Sequence, residues 1–418
     1  MTVQISTGDT GFMMVCAALV FLMTLGLAFF YAGMVRRKNA LNTLLSCFFI
    51  CGLASVMWIV CGYSLSFGTN HAGIIGGLDH LFFNGVEMTP NANYAATIPE
   101  TLFAVFQMMF AIITPALICG AIAERMKFSK LIIFIGLWSL IVYYPLAHMV
   151  WGDQGFLKEL GALDFAGGNV VHISSGITGL VACIILGKRR GYGIISYKPH
   201  NIPFVVLGAG LLWFGWFGFN AGSALSASPL AVHAFLTTNT SAGAALLSWL
   251  VIEKIVYKKI TVLGAATGGV IGLVAITPGA GFVPIWASII IGLLVSPICF
   301  FFMSKVKGKF GYDDALDAFG CHGIGGVWGG IATGIFAQKS INPEMIRWNG
   351  LIYGDVELFA MQILSIIITM VVAGVASFII LKVMKYFGDL RVSTQEEAVG
   401  LDLSEHNEVA YPAFHGLD

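Results

Sequence analysis

His172 and His322 each stand eight residues after an aspartate, Asp164 and Asp314, and both pairs lie in long apolar stretches. An ionisable side chain in such surroundings is costly and marks a functional site by default. Two neutral imidazoles in contact can pass a hydrogen bond or a proton, each ring a donor on one side and an acceptor on the other. A single histidine of this kind reads equally well as a core residue bonded to a neighbouring helix; two at matching places favour a shared site. Asp164 opens the run Asp164-Phe165-Ala166-Gly167-Gly168, so it can cap a helix, and a carboxylate so held also favours cations nearby. Trp151, Phe106, Phe110, Phe219 and Ser223 add the parts of a small-cation site: aromatic faces attract a cation, and a hydroxyl accepts a hydrogen bond from it. Taken singly, each aromatic is more often a packing or interfacial residue.

The elements that must position these residues are membrane helices. The 418 residues are 57% hydrophobic and 11% charged, against about 25% charged in soluble chains, which excludes an ordinary soluble enzyme. The 51 glycines suit close helix packing. A net charge of zero leaves no footprint for nucleic acid. The eight cysteines all fall in apolar runs without a Cys-x-x-Cys pair, and read as buried thiols. The glycines of 320–326 lack the lysine and strand context of a phosphate loop. No metal or other cofactor is expected. The first ten residues lack the basic region of a cleaved signal peptide.

Apolar stretches of about 18 residues or more give an all-α polytopic membrane protein of eleven transmembrane helices. They fall near 10–33, 41–67, 99–123, 130–150, 164–187, 203–225, 231–253, 260–279, 283–304, 315–338 and 352–385. Lysines and arginines cluster after helices 1, 3, 5, 7, 9 and 11, while the alternate loops hold only Lys158, Lys339 and Arg347. The positive-inside rule then places the N-terminus outside and the C-terminus in the cytoplasm.

With that topology helix 1 runs inward to Phe30-Tyr31-Ala32-Gly33, and helix 6 runs outward to Phe219-Asn220-Ala221-Gly222. Helix 5 runs inward from Asp164 and helix 10 outward from Asp314. Helices 1–5 and 6–10 therefore read as an inverted repeat, the halves being about 10–187 and 203–338, with the path at their interface. Eight helical residues rise about 12 Å, which brings both histidines toward the middle of a core about 30 Å thick.

The chain resembles the ammonium transporter family (Amt/Mep/Rh) over nearly its whole length. The resemblance rests on Phe-Tyr-Ala-Gly-Met at 30–34, Ala-Glu-Arg at 123–125, and Asp-Phe-Ala-Gly-Gly-Asn-Val-Val-His at 164–172. Lys-Pro-His-Asn at 198–201, Gly-Trp-Phe-Gly-Phe-Asn-Ala-Gly-Ser at 215–223 and Phe-Gly-Cys-His-Gly at 319–323 carry it further. It implies a homotrimer with one pore per subunit, in which His172 and His322 are paired pore histidines. Trp151, Phe110 and Ser223 would form an outer ammonium site supported by Asp164, with Phe106 beside it and Phe110 and Phe219 as the gate below. Trp151 and Ser223 favour the bacterial or archaeal Amt branch; Ser174-Ser175 after the histidine is less usual. Residues 1–387 would form the membrane domain and 388–418 a cytoplasmic tail, which in bacterial members meets a PII-type signal protein.

The expectation is ammonium transport across the inner (plasma) membrane, with methylammonium as an analogue and no enzymatic activity. Ammonium would be recruited outside, deprotonated, and conducted as ammonia past the histidines. The alternatives are an ammonium sensor that transports little, an Rh-like gas channel, and a membrane haem protein using the two histidines as axial ligands.

Overall fold

In lipid, backbone amides find partners only within their own helix, so long apolar runs become helices. The computed structural model describes residues 4–411; the last residues of the expected tail, 412–418, lie outside them. The bundle comprises α1 (Thr7–Met34), α2 (Arg37–Phe67), α3 (Glu100–Ile122), α4 (128–151), α5 (Gly168–Leu186) and α6 (Ile202–Gly222). It continues with α7 (Pro229–Tyr257), α8 (Val262–Ile276), α9 (Ile285–Phe310), α10 (319–336) and α11 (Val356–Tyr386). Side chains of Ser6, Asn201, Ser228 and Thr261 cap α1, α6, α7 and α8 by accepting an N–H three residues on. Pro203 and Pro229 occupy first turns, where a missing N–H costs nothing.

Nine helices among the described residues are long and apolar enough to cross a membrane. The two expected spans beyond these nine are the shorter ones: α8 has 15 residues, and α10 is six π-helical residues followed by 12 α-helical ones. Pro278 stops α8 early. The aspartates also lie outside their helices: α5 begins at Gly168 and α10 at Phe319, four and five residues after Asp164 and Asp314. Both histidines sit in π turns, Gly168–Ile173 and Phe319–Ile324, a widened geometry common at functional sites. A further π turn, Ser139–Tyr143 in α4, precedes Pro145, whose ring would clash with the Ile141 carbonyl in a regular helix.

Glycines set the closest crossings. α1 and α6 lie antiparallel: a Cβ added at Gly26 would meet Leu211, one at Gly33 would meet Val205, and one at Gly218 would meet Leu19. α5 and α10 are antiparallel too, since Gly176 abuts Gly323 and Gly326 abuts His172 and Ile173.

At the basic end of the bundle, Glu124 turns the chain from α3 to α4 with φ 70, a left-handed conformation that a non-glycine residue holds only under constraint. Its buried carboxylate accepts from Arg36 N (2.8 Å), Arg36 Nε (3.0 Å), Asn39 Nδ2 (2.9 Å) and Arg189 Nη1 (3.0 Å). Arg189 also pairs with Asp313 at 2.8 Å. Burial alone would push both carboxyls up, but the Arg189 and Arg36 guanidiniums hold Glu124, and Arg189 holds Asp313, below their ordinary 4.5 and 3.8. A lowered carboxyl stabilises the fold fully above its unfolded value and loses that contribution as pH falls through its folded one. The protein is therefore expected to keep its melting temperature from neutrality to about pH 5 and lose it below about pH 4. Glu124→Gln should remove about 1.5–3 kcal/mol by weakening charge-assisted bonds to Arg36 and Arg189, which keeps Asp313, lowering the melting temperature in detergent by several degrees at pH 7 and flattening that acid limb.

The tail folds back onto this end. Lys127 N donates to Leu390 O, and Val392 N donates to Arg125 O. Asp402 accepts from Asn42 N at 2.8 Å and Glu405 from Phe128 N at 3.0 Å, so tail carboxylates cap α2 and α4, whose own N-caps supply no side-chain bond.

Candidate functional site

Asp164 organises the entrance from the backbone outward. Its Oδ1 accepts the N–H groups of Gly167 (2.7 Å) and Gly168 (2.6 Å), and its Oδ2 those of Asn169 (2.7 Å) and Val170 (3.4 Å). Gly167 makes this possible with φ 119, a conformation closed to most side chains. The carboxylate thus faces the helix start, while the Asp164 carbonyl accepts from Trp151 Nε1 at 2.9 Å. Asp314 repeats the pattern. Its oxygens accept from Ala318 (3.1 Å) and Phe319 (2.8 Å), and Asp317 replaces Gly167 at positive φ.

A cavity of about 440 Å³ opens beside this corner, lined by Trp151, Phe110, Ser223, Gln107, Asp164 and Tyr94 among others. Ser223 donates its hydroxyl proton to Phe219 O at 2.9 Å, leaving its lone pairs to accept. Phe106 is not in the lining. It is buried behind Phe110 at 5.0 Å between ring centroids, and a Cβ added at Gly222 would strike its ring. Placing it at the cation site from a four-residue spacing is therefore corrected: that spacing put it against α6.

From the cavity a file of rings leads inward. Trp151 and Phe110 lie 5.8 Å apart, and Phe110 meets Phe219 at 4.3 Å, which closes the way. Phe219 is 6.2 Å from His172, and Trp216 packs against both, 5.4 Å from His172 and 5.4 Å from Phe219. His172 and His322 are buried and nearly coplanar (17°), with Nδ1 atoms 3.3 Å apart. One Nδ1 must donate and the other accept. His172 Nε2 has no partner among the described residues, so it can bond whatever enters. The contact leaves no slot for a macrocycle between the rings, and the bis-histidine haem reading is abandoned on that geometry.

The sequence reading missed Trp216, although it stands three residues before Phe219 in the same Gly-Trp-Phe-Gly-Phe run. Its Nε1 donates to Thr277 Oγ1 at 2.9 Å, which locks the indole against His172. Ser174 and Ser175 turn back to Val170 O (2.5 Å) and Val171 O (2.6 Å), taking up carbonyls that the π turn displaces. Asp313, next to Asp314 in sequence, is the partner of Arg189.

Membrane-length helices around a buried histidine pair, reached from an aromatic cavity, define a polytopic membrane transport protein. Residues 11–411 match the Ammonium Transporter Family, and the chain belongs to it. It is 52% identical over 404 residues to an ammonium transporter of Bacillus subtilis, covering 97% of this chain and 98% of that one. The crystal structure of Saccharomyces cerevisiae Mep2 superposes with a TM-score of 0.87 at 37% identity, over 94% of this chain and 89% of that one. A structure described as a sensor Amt protein gives 0.87 at 31% identity, over 96% and 98%.

Proposed function

We propose that this ammonium transporter recruits ammonium in the Trp151 cavity, strips it of a proton, and conducts ammonia past His172 and His322. The observation that carries the reading is the unbroken file of rings from Trp151 through Phe110 and Phe219 to the histidine pair. The π faces of Trp151 and Phe110 attract the cation, Ser223 Oγ accepts one of its N–H groups, and the Asp164 charge favours it from below. Phe110 and Phe219 must swing apart for passage. A bare cation at mid-membrane is expensive; ammonia is neutral, and its lone pair and N–H groups can bond imidazole where potassium cannot.

This reading takes the basic end as cytoplasmic, the N-terminus as outside, α8 and α10 as two further spans, and α1–α5 and α6–α10 as inverted halves. The antiparallel crossings and the matched Asp164 and Asp314 caps support it. It extends to a plasma-membrane homotrimer of 1–387 domains, whose 388–418 tails dock a PII-type protein.

Proteoliposomes carrying an ammonium gradient, with current and internal pH followed together, test it. His172→Leu is expected to cut the flux about tenfold, the equivalent of one lost hydrogen bond to the permeant molecule; an unchanged flux would reject the histidine path. Current that rises with flux means the proton follows; silent flux means it stays outside. The sensor reading draws on the likeness to the sensor Amt protein. Robust uptake of labelled methylammonium in cells lacking other carriers would remove it.

A further inference from the structure

Five charged residues line the outer cavity: Lys158, Glu159, Asp164, Glu344 and Arg347. Four have evident dispositions. Glu159 and Arg347 pair at 3.3 Å on the exposed rim, where Arg347 also donates to Glu159 O at 2.6 Å. Asp164 is saturated by backbone N–H groups, and Glu344 is exposed. Lys158 differs. It sits on a short outer helix, Phe156–Glu159, is half-buried in the cavity wall, and makes no ion pair or side-chain hydrogen bond among the described residues. Its head is a tethered alkylammonium, the charge and hydrogen-bonding type of the cation the cavity is read to recruit.

We infer that Lys158 sets the affinity of the outer site, its ammonium head opposing the entry of a second cation into the shared cavity. The inference rests on the Trp151 cavity being the recruitment site. A cavity of 440 Å³ is about 10 Å across, and a unit charge acting over about 10 Å in a solvated space changes cation occupancy about two- to tenfold. The effect belongs in KM, because a neutral ammonia beyond Phe219 does not feel the charge. Such a lysine raises the concentration needed for half-saturation and leaves the passage step alone.

The test is labelled methylammonium uptake in cells lacking other carriers, with rates normalised to protein in the membrane. Lys158→Gln and Lys158→Met should each lower KM about two- to tenfold in about 10 mM salt, and the ratio to wild type should close toward one in about 0.5 M salt. Lys158→Glu should lower KM further, and Lys158→Arg should keep it near the wild-type value. The inference is overturned if both neutral variants match wild type at low salt, or if their shift persists at high salt, which would mark a packing effect. Absence of uptake by the wild type would count against the transport reading itself, a separable result.

Discussion

Gly176→Ala is expected to reduce methylammonium uptake below about a tenth of wild type, although it adds one methyl group. An added Cβ at Gly176 would strike the backbone N and Cα of Gly323. The obstructing atoms are backbone, so no rotamer change relieves the clash, and the crossing helices must separate. Overpacking of this kind costs about 1–3 kcal/mol or more, and here it acts four residues from His172 and one from His322 in the facing strand of contacts. The Nδ1 atoms, at 3.3 Å, are already near the limit of a hydrogen bond, so a further half ångström breaks the pair. Gly243→Ala, where nothing lies within 4 Å, is the control for glycine loss alone. Wild-type uptake in Gly176→Ala with a normal melting temperature would refute the idea that this crossing holds the histidines together.

What the sequence made legible follows periodicity and charge; what it left out follows direction. Long apolar runs and alternating basic loops announce a membrane bundle, and the repeated Asp-to-His interval places the two histidines at equivalent depths. The meeting of Phe110, midway along α3, with Phe219 came only from the family resemblance, while the place of Trp151 and of Phe219 near the end of a helix was readable. The facing of Phe106 was not, since a four-residue spacing fixes a shared helix side without saying which neighbour covers it. Nor were the π turns, which depend on how Asp164 and Asp314 gather N–H groups ahead of the helix. Glu124, Arg189 and Asp313 come from three separate loops, and nothing local to any of them announces the others. The tail's carboxylates were invisible as caps because their partners, Asn42 and Phe128, lie hundreds of residues away in the chain.

Asp164→Asn is the second large effect, and its twin at Asp314 tells what the effect consists of. In Asp164 both oxygens accept N–H groups; an amide nitrogen in place of Oδ2 would point its hydrogens at the donors of Asn169 and Val170. Charge-assisted bonds to a carboxylate contribute about 1.5–3 kcal/mol, and an unsatisfied buried donor costs a comparable amount. Asp164→Asn should therefore lower the melting temperature, fray the first turn of α5, and leave less than about a twentieth of the uptake, a loss of about 2 kcal/mol or more in the transport barrier. On the proposed reading, part of that loss is scaffold and part is the vanished charge under the recruitment site. Asp314 holds the matching N–H groups of Ala318 and Phe319 but sits at the basic end, beside Lys307, which pairs with Asp317. Asp314→Asn is expected to cost similar stability and far less uptake, and the gap between the two variants measures the field of Asp164 on the cation. Equal loss of uptake in both would reduce Asp164 to a helix cap and return cation recruitment to Trp151, Phe110 and Ser223 alone.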